Sequence, residues 1–201
     1  VRMRPLNTRE KEIGDDIVVK MKEGGKVEML RSNEMEETEY RSFKFDFGYD
    51  KNCKQSDVYN DVGQPLLDKA FDGFNGTIFA YGQTGSGKTW TMSGIRSNPG
   101  IQPRAVKAIF DTVKKDSDKF AYTVSVYMIE MYLDDLNDLL KSLPNGEIMG
   151  KMDRKGNLKV VKDSRGRVQV GGVTKITAHS IEEMENILSA GQAKRHVAAT
   201  K

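Results

Sequence analysis

Phe43, Phe45 and Phe47 alternate with Ser42, Lys44 and Asp46. This period of two predicts a half-buried strand over residues 40–47. Residues 17–29 show strand-like pieces on either side of Gly24-Gly25, a turn pair, while residues 31–39 (RSNEMEETE) predict an exposed acidic loop. Ser56 is placed to cap a helix running through Leu66, Leu67, Ala70 and Phe71, which Pro65 must kink or divide. Asn75-Gly76 predicts a turn, and Thr77-Ile-Phe-Ala-Tyr81 predicts a short buried parallel strand.

The second half of the chain has its own periods. Ala105, Val106, Ile109, Phe110 and Val113 fall on one side of a helix opened by Pro103. Residues 122–132 predict one long strand, with Met128 and Met131 as core filler. Residues 133–140 predict a helical turn. Residues 158–161 and 168–173 bracket Asp163-Ser-Arg-Gly166 as a hairpin. Ser180-Ile-Glu-Glu183 is a capping box ahead of Ile181, Met184, Ile187 and Leu188. This order of elements predicts an α/β fold with a mostly parallel central sheet flanked by helices.

Composition narrows the classes. The 201 residues are 37% hydrophobic and 30% charged, which argues against disorder, and no apolar run reaches the ~20 residues a membrane helix needs. A single cysteine, Cys53, excludes an internal disulfide and points to a reducing, intracellular setting. The net charge of +3 is too small to imply nucleic acid. Its distribution is uneven. From Lys151 to Arg167, seven basic residues, Lys162, Arg165 and Arg167 among them, face only Asp153 and Asp163. Such a patch suits an acidic partner surface.

The chemistry concentrates in Gly82-Gln-Thr-Gly-Ser-Gly87-Lys88-Thr89, which matches G-x-x-x-x-G-K-[ST]. The glycines let backbone N–H groups converge on phosphate oxygens without a Cβ in the way. The helix that follows adds its positive end. Lys88 is placed to reach the β- and γ-phosphates, and the Thr89 hydroxyl to ligate Mg²⁺. An Asn-Lys-x-Asp base-reading motif, which a GTPase would want, does not occur, and some 80 residues precede the loop, unlike the arrangement of a nucleotide kinase.

The surrounding run, Phe74-Asn-Gly-Thr-Ile-Phe-Ala-Tyr-Gly-Gln-Thr-Gly-Ser-Gly-Lys-Thr-Trp-Thr-Met92, closely resembles the phosphate-loop region of kinesin motor domains. Val1-Arg-Met-Arg-Pro-Leu6, Phe45-Asp-Phe47, Val58-Tyr59, Gly100-Ile-Gln-Pro-Arg104, Tyr127-Met-Ile-Glu-Met-Tyr-Leu133 with Asp138-Leu-Leu140, and Arg195-His-Val-Ala198 resemble further segments of that family in the same order. The resemblance implies a P-loop NTPase that binds ATP or ADP with Mg²⁺. Gln83, Thr84, Gly85, Ser86, Gly87, Lys88 and Thr89 would hold the phosphates and the metal, with Lys88 and Thr89 the catalytic pair. Arg2, Arg4 and Pro5 would flank the adenine, with Trp90 stacked beside it where many kinesins have His. Lys162, Arg165 and Arg167 would lie in the hairpin that faces tubulin.

On the same reading residues 1–201 are a single motor domain that stops before the first switch, with the phosphate loop at 82–89 and a basic hairpin lobe at about 151–175. Its sheet would be incomplete at the C-terminal part. The switches, Asn-x-x-Ser-Ser-Arg and Asp-x-x-Gly, would follow Lys201, so these residues alone would hydrolyse ATP poorly. The intact protein would be a cytoplasmic, microtubule-associated ATPase of the cytoskeleton and spindle. It would dimerise through a coiled coil outside this chain and bind neither nucleic acid nor membrane. The hairpin and the Met-Ile-Glu-Met-Tyr strand resemble C-terminal, minus-end-directed kinesins. A kinesin-like module that binds nucleotide or microtubules without cycling is the alternative.

Overall fold

The computed structural model describes residues 1–32, 38–153, 155–162, 164 and 166–195. It divides into two compact units, with the boundary between Ala105 and Val106. Arg165 and the segment that begins at His196 lie outside the described residues.

In the first unit Asn7 caps helix α1 (Thr8–Glu12) reciprocally with Glu10: the Asn7 side chain accepts from Glu10 N–H at 2.9 Å, and the Glu10 carboxylate accepts from Asn7 N–H at 2.9 Å. Strands β1 (Val19–Met21), β2 (Lys26–Ser32) and β3 (Thr38–Lys44) form an antiparallel meander. The turn between β1 and β2 needs Gly25. Its φ is +74°, and a Cβ there would sit 2.0 Å from the Phe45 carbonyl oxygen. The strand expected over 40–47 ends at Lys44, with Phe43 inside β3 and Phe45 and Phe47 past it, and its half-buried face does not form: residues 41–48 are all exposed, the three phenylalanines included.

Helix α2 (Gln55–Val58) begins two residues earlier than a Ser56 cap would place it. Lys54 N–H donates to the Asp57 carboxylate at 3.0 Å, and Ser56, instead of capping, turns its hydroxyl to Asp57. A π-helical turn, Tyr59–Gly63, then leads into α3 (Gln64–Phe71). Pro65 explains the division. It has no N–H for the carbonyl four residues back, so the chain widens one turn and starts a new helix with Pro65 in its first turn. The chain leaves α3 at Asp72-Gly73, where Gly73 has φ +96° and bonds back to Ala70, and not at Asn75-Gly76.

Helix α4 (Lys88–Met92) follows the glycine-rich loop, and β4 (Gly94–Ile95) pairs with β5 (Asn98–Pro99). Helix α5 (Ile101–Lys115) takes Pro103 into its first turn, two residues after its start.

The second unit holds β6 (Ser125–Val126), β7 (Ile129–Tyr132), β8 (Asp135–Asp138), β9 (Gly146–Met149), β10 (Lys159–Lys162), β11 (Val168–Gly171), β12 (Val173–Thr177) and helix α6 (Ile181–Ala193). The long strand expected over 122–132 is broken at Tyr127-Met128: β6 pairs with β12, whereas β7 pairs with β8. The expected helical turn at 133–140 is a hairpin instead. Leu133 and Asp134 both have positive φ, +48° and +69°, the geometry of a tight turn matched to strand twist.

Asp138 then fixes the exit from β8. One carboxylate oxygen accepts from Leu140 N–H (2.9 Å) and Lys141 N–H (3.1 Å), the other from Thr174 N–H in β12 (2.7 Å). The core forms around fully buried Leu140, with Val106, Ile176, Ala178, Met184 and Ile187, and Met128 packs against it. Met131, three residues on and past the break, is exposed and fills no core. Ser180 caps α6 through Glu183 N–H as expected, while the Glu183 carboxylate accepts from His179 N–H.

The expected parallel sheet does not form among the described residues. Every strand pair is antiparallel, in sheets of two or three strands, and the one parallel pairing is the isolated bridge Arg2–Tyr49. Residues 77–81, expected as a buried parallel strand, form no strand and join no ladder, with Phe79 82% and Tyr81 96% exposed. A parallel strand needs a neighbour brought beside it by a crossover, and none of the described strands lies there; local turns supply only antiparallel partners.

Candidate functional site

The glycine-rich loop lies in the first unit between residues 77–81 and α4. Two of its glycines are left-handed, Gly85 at φ +80° and Gly87 at φ +95°, and Gly87 stands at the start of α4. A Cβ on Gly85 would meet nothing within 4 Å, so its surroundings are open, whereas one on Gly82 would strike the Ser86 hydroxyl at 2.4 Å. The loop is therefore tight at Gly82 and open at Gly85. The first N–H groups of α4 have no acceptor within the helix.

Lys88 folds back over the loop. Its ammonium donates to the carbonyl oxygens of Gly82 (2.7 Å) and Gln83 (2.9 Å), and Ser86 N–H closes the turn on Gln83. Thr89 is exposed one residue further along α4. An ammonium at a helix N-terminus suits phosphate oxygens, and a hydroxyl oxygen beside it suits Mg²⁺.

A cavity of about 460 Å³ opens beside the loop. Of the residues singled out in the sequence, Arg2, Arg4, Pro5, Ser86, Gly87, Lys88 and Trp90 line it; Gln83, Thr84, Gly85 and Thr89 do not. Trp90 is 39% exposed, so part of its indole is open to a ligand.

Both arginines are already engaged. Arg4 forms a two-pronged pair with the Glu10 carboxylate (2.6 and 2.5 Å) and also donates to the Pro5 carbonyl. Those hydrogen bonds, with one from Asn7 N–H, hold the Glu10 carboxyl down at about 2. Arg2 donates to the Gln55 side-chain oxygen (2.6 Å) and to the Thr91 hydroxyl (3.0 Å). The N-terminal segment is pinned in turn by Tyr49, whose backbone bonds Val1 and Met3. The Tyr49 phenol donates to Asp61, and burial pushes its titration upward.

Gln55 was not singled out in the sequence. It is 2% exposed, and its amide nitrogen donates to the Trp90 carbonyl at 2.6 Å. The only available signal was a polar residue at the start of a helix whose apolar positions place it inward.

The basic hairpin belongs to the second unit. Lys162 and Val168 pair at its end, and both Lys162 and Arg167 are exposed. The string Asp-x-x-Gly does occur there, at 153–156 and 163–166. At the first of these, the Asp153 carboxylate caps Lys155 and Asn157 N–H groups and Gly156 N–H bonds the Asp153 carbonyl, so the string makes a turn. No described helix is long and apolar enough to cross a membrane.

The family model of the kinesin motor domain matches residues 2–201. The kinesin-like protein KIN-14E of Arabidopsis thaliana is 39% identical over 199 residues, which is 99% of this chain and 15% of that protein. KIN-14I of Oryza sativa subsp. japonica is 36% identical over the same shares. KIF11 of Mus musculus is 36% identical over 214 residues, covering all of this chain and 19% of that protein. The chain thus spans about a sixth of the length of the relatives it matches.

Proposed function

The chain belongs to the kinesin motor domain family, and on that footing we propose that it binds ATP with Mg²⁺ and serves a microtubule-dependent ATPase that moves along microtubules. The observation that carries this reading is the loop itself: two left-handed glycines, open space at Gly85, and an ammonium poised across two loop carbonyls. Gln83, Thr84, Gly85, Ser86, Gly87 and Lys88 hold the phosphates, with Lys88 exchanging its carbonyl partners for ionised phosphate oxygens. Thr89 offers a hydroxyl to Mg²⁺, which when bound neutralises charge shared by the β- and γ-phosphates. Trp90 supplies a face for the base. Arg2, Arg4 and Pro5 shape the wall of the cavity, their guanidiniums held by Gln55, Thr91 and Glu10.

In the second unit the exposed Lys162 and Arg167, with Arg165 in the same sequence patch, suit the acidic surface of tubulin.

Steady-state ATP hydrolysis by the full-length protein, with and without microtubules, tests this reading. Turnover raised by microtubules and lost without Mg²⁺ supports it. Nucleotide and microtubule binding without turnover would replace it with a binding module, and no binding of either would overturn it.

A further inference from the structure

We propose that Gln55 is a positioning residue for nucleotide binding, acting through helix α4; the inference rests on the nucleotide reading of the loop. Gln55 is one of the few polar side chains buried in the structure, and both ends of its amide are used. The oxygen accepts from Arg2 and the nitrogen donates to the Trp90 carbonyl. Arg2 closes the ring by donating to Thr91, the next residue of α4. Three separate segments, the N-terminal segment at Arg2, α2 and α4, thereby meet on one side chain.

The consequence follows from the length of α4. Five residues form barely more than one turn, and a helix that short is not stable by itself. Its last carbonyls also lack partners within the helix. Gln55 satisfies one of them, at Trp90. Lys88 and Thr89 stand two residues and one residue before Trp90, so the bond that fixes the Trp90 carbonyl also fixes the turn presenting the ammonium and the hydroxyl. Replacing the amide leaves Lys88 and Thr89 chemically intact but releases the helix that aims them. Arg2 tunes the same helix from the cavity wall, through Gln55 and through Thr91.

The test uses Gln55→Glu and Gln55→Met in the full-length protein. Glu keeps the acceptor for Arg2 and loses the donor to Trp90; Met keeps the volume and loses both. Binding of a fluorescent ATP analogue with Mg²⁺ and of tripolyphosphate is measured beside thermal unfolding. The expected result is folded variants in which both ligands bind roughly tenfold more weakly, because a group that aims the phosphate site affects both alike. Hydrogen exchange over residues 84–93 is expected to rise in Gln55→Glu, a readout that applies even if Gln55→Met does not fold. Variants that bind both ligands within twofold of the parent, with unchanged exchange, overturn the role of Gln55. A parent protein that binds neither ligand overturns the nucleotide reading instead, which is a separate outcome.

Discussion

The Lys88 ammonium donates to the carbonyl oxygen of Gly82 at 2.7 Å, a bond that spans the glycine-rich loop from the first residue of α4 back to the loop's first glycine. Two carbonyl dipoles hold the cation where ionised oxygens would bind it more strongly. Lys88→Ala is expected to weaken Mg²⁺–nucleotide binding by about 100-fold, corresponding to ~3 kcal/mol for a charge-assisted contact, with little change in unfolding temperature. Titration with a fluorescent nucleotide checks this, and near-parental affinity would refute the assignment of Lys88.

Gly25 has no tolerance for a side chain. A Cβ there meets the Phe45 carbonyl at 2.0 Å, and the backbone is left-handed at φ +74°. The obstacle is backbone just past β3 and cannot swing aside as a side chain could. Gly25→Ala is expected to destabilise the protein by at least ~2 kcal/mol in denaturant unfolding. Gly24→Ala, with nothing within 4 Å of its Cβ, carries only the backbone strain and should cost less.

The Glu10 carboxyl is held at about 2 against an ordinary 4.5, chiefly by hydrogen bonds from Arg4. A carboxyl lowered on folding stabilises the fold fully above its ordinary value and loses that contribution as pH falls through the lowered one. The stability difference between the parent and Glu10→Gln is therefore expected to be constant above pH 4.5 and to shrink between 4.5 and 2. In Arg4→Met the Glu10 titration, followed by carboxyl NMR, should move back toward 4.5. An unchanged midpoint would show that Arg4 does not hold it.

Asp138 accepts from three backbone N–H groups, at Leu140, Lys141 and Thr174. Leu140 is fully buried and Thr174 nearly so, so water does not readily replace the carboxylate. Asp138→Ala is expected to cost about 3 kcal/mol by urea unfolding, with Asp138→Asn intermediate because one oxygen remains to accept. A loss under ~1 kcal/mol would mean that the freed N–H groups find other acceptors.

The sequence made the local devices readable. The cap at Ser180, the glycine spacing at 82–87 and the paired strands around 163–166 each depend on neighbours a few residues apart. Leu133-Asp134 escaped because a tight positive-φ turn ordinarily advertises itself with Asn-Gly or Asp-Gly, and here leucine takes the first position. The break at Tyr127-Met128 escaped because an unbroken run of β-formers cannot report that its two ends pair with different partners. At 77–81 the apolar β-rich run did not become the buried strand it suggested, because strand pairing depends on a neighbour distant in sequence. Gln55 carries no motif. Its importance lies in the spatial meeting of Arg2 and Trp90, 88 residues apart in the chain.

Trp90 is the only tryptophan in the chain, and it lines the same cavity as Lys88. Indole emission from these 201 residues therefore comes from a single point beside the phosphate loop. The chain carries a built-in optical reporter at its candidate site, so ligand arrival can be followed as quenching or a spectral shift without attaching a dye.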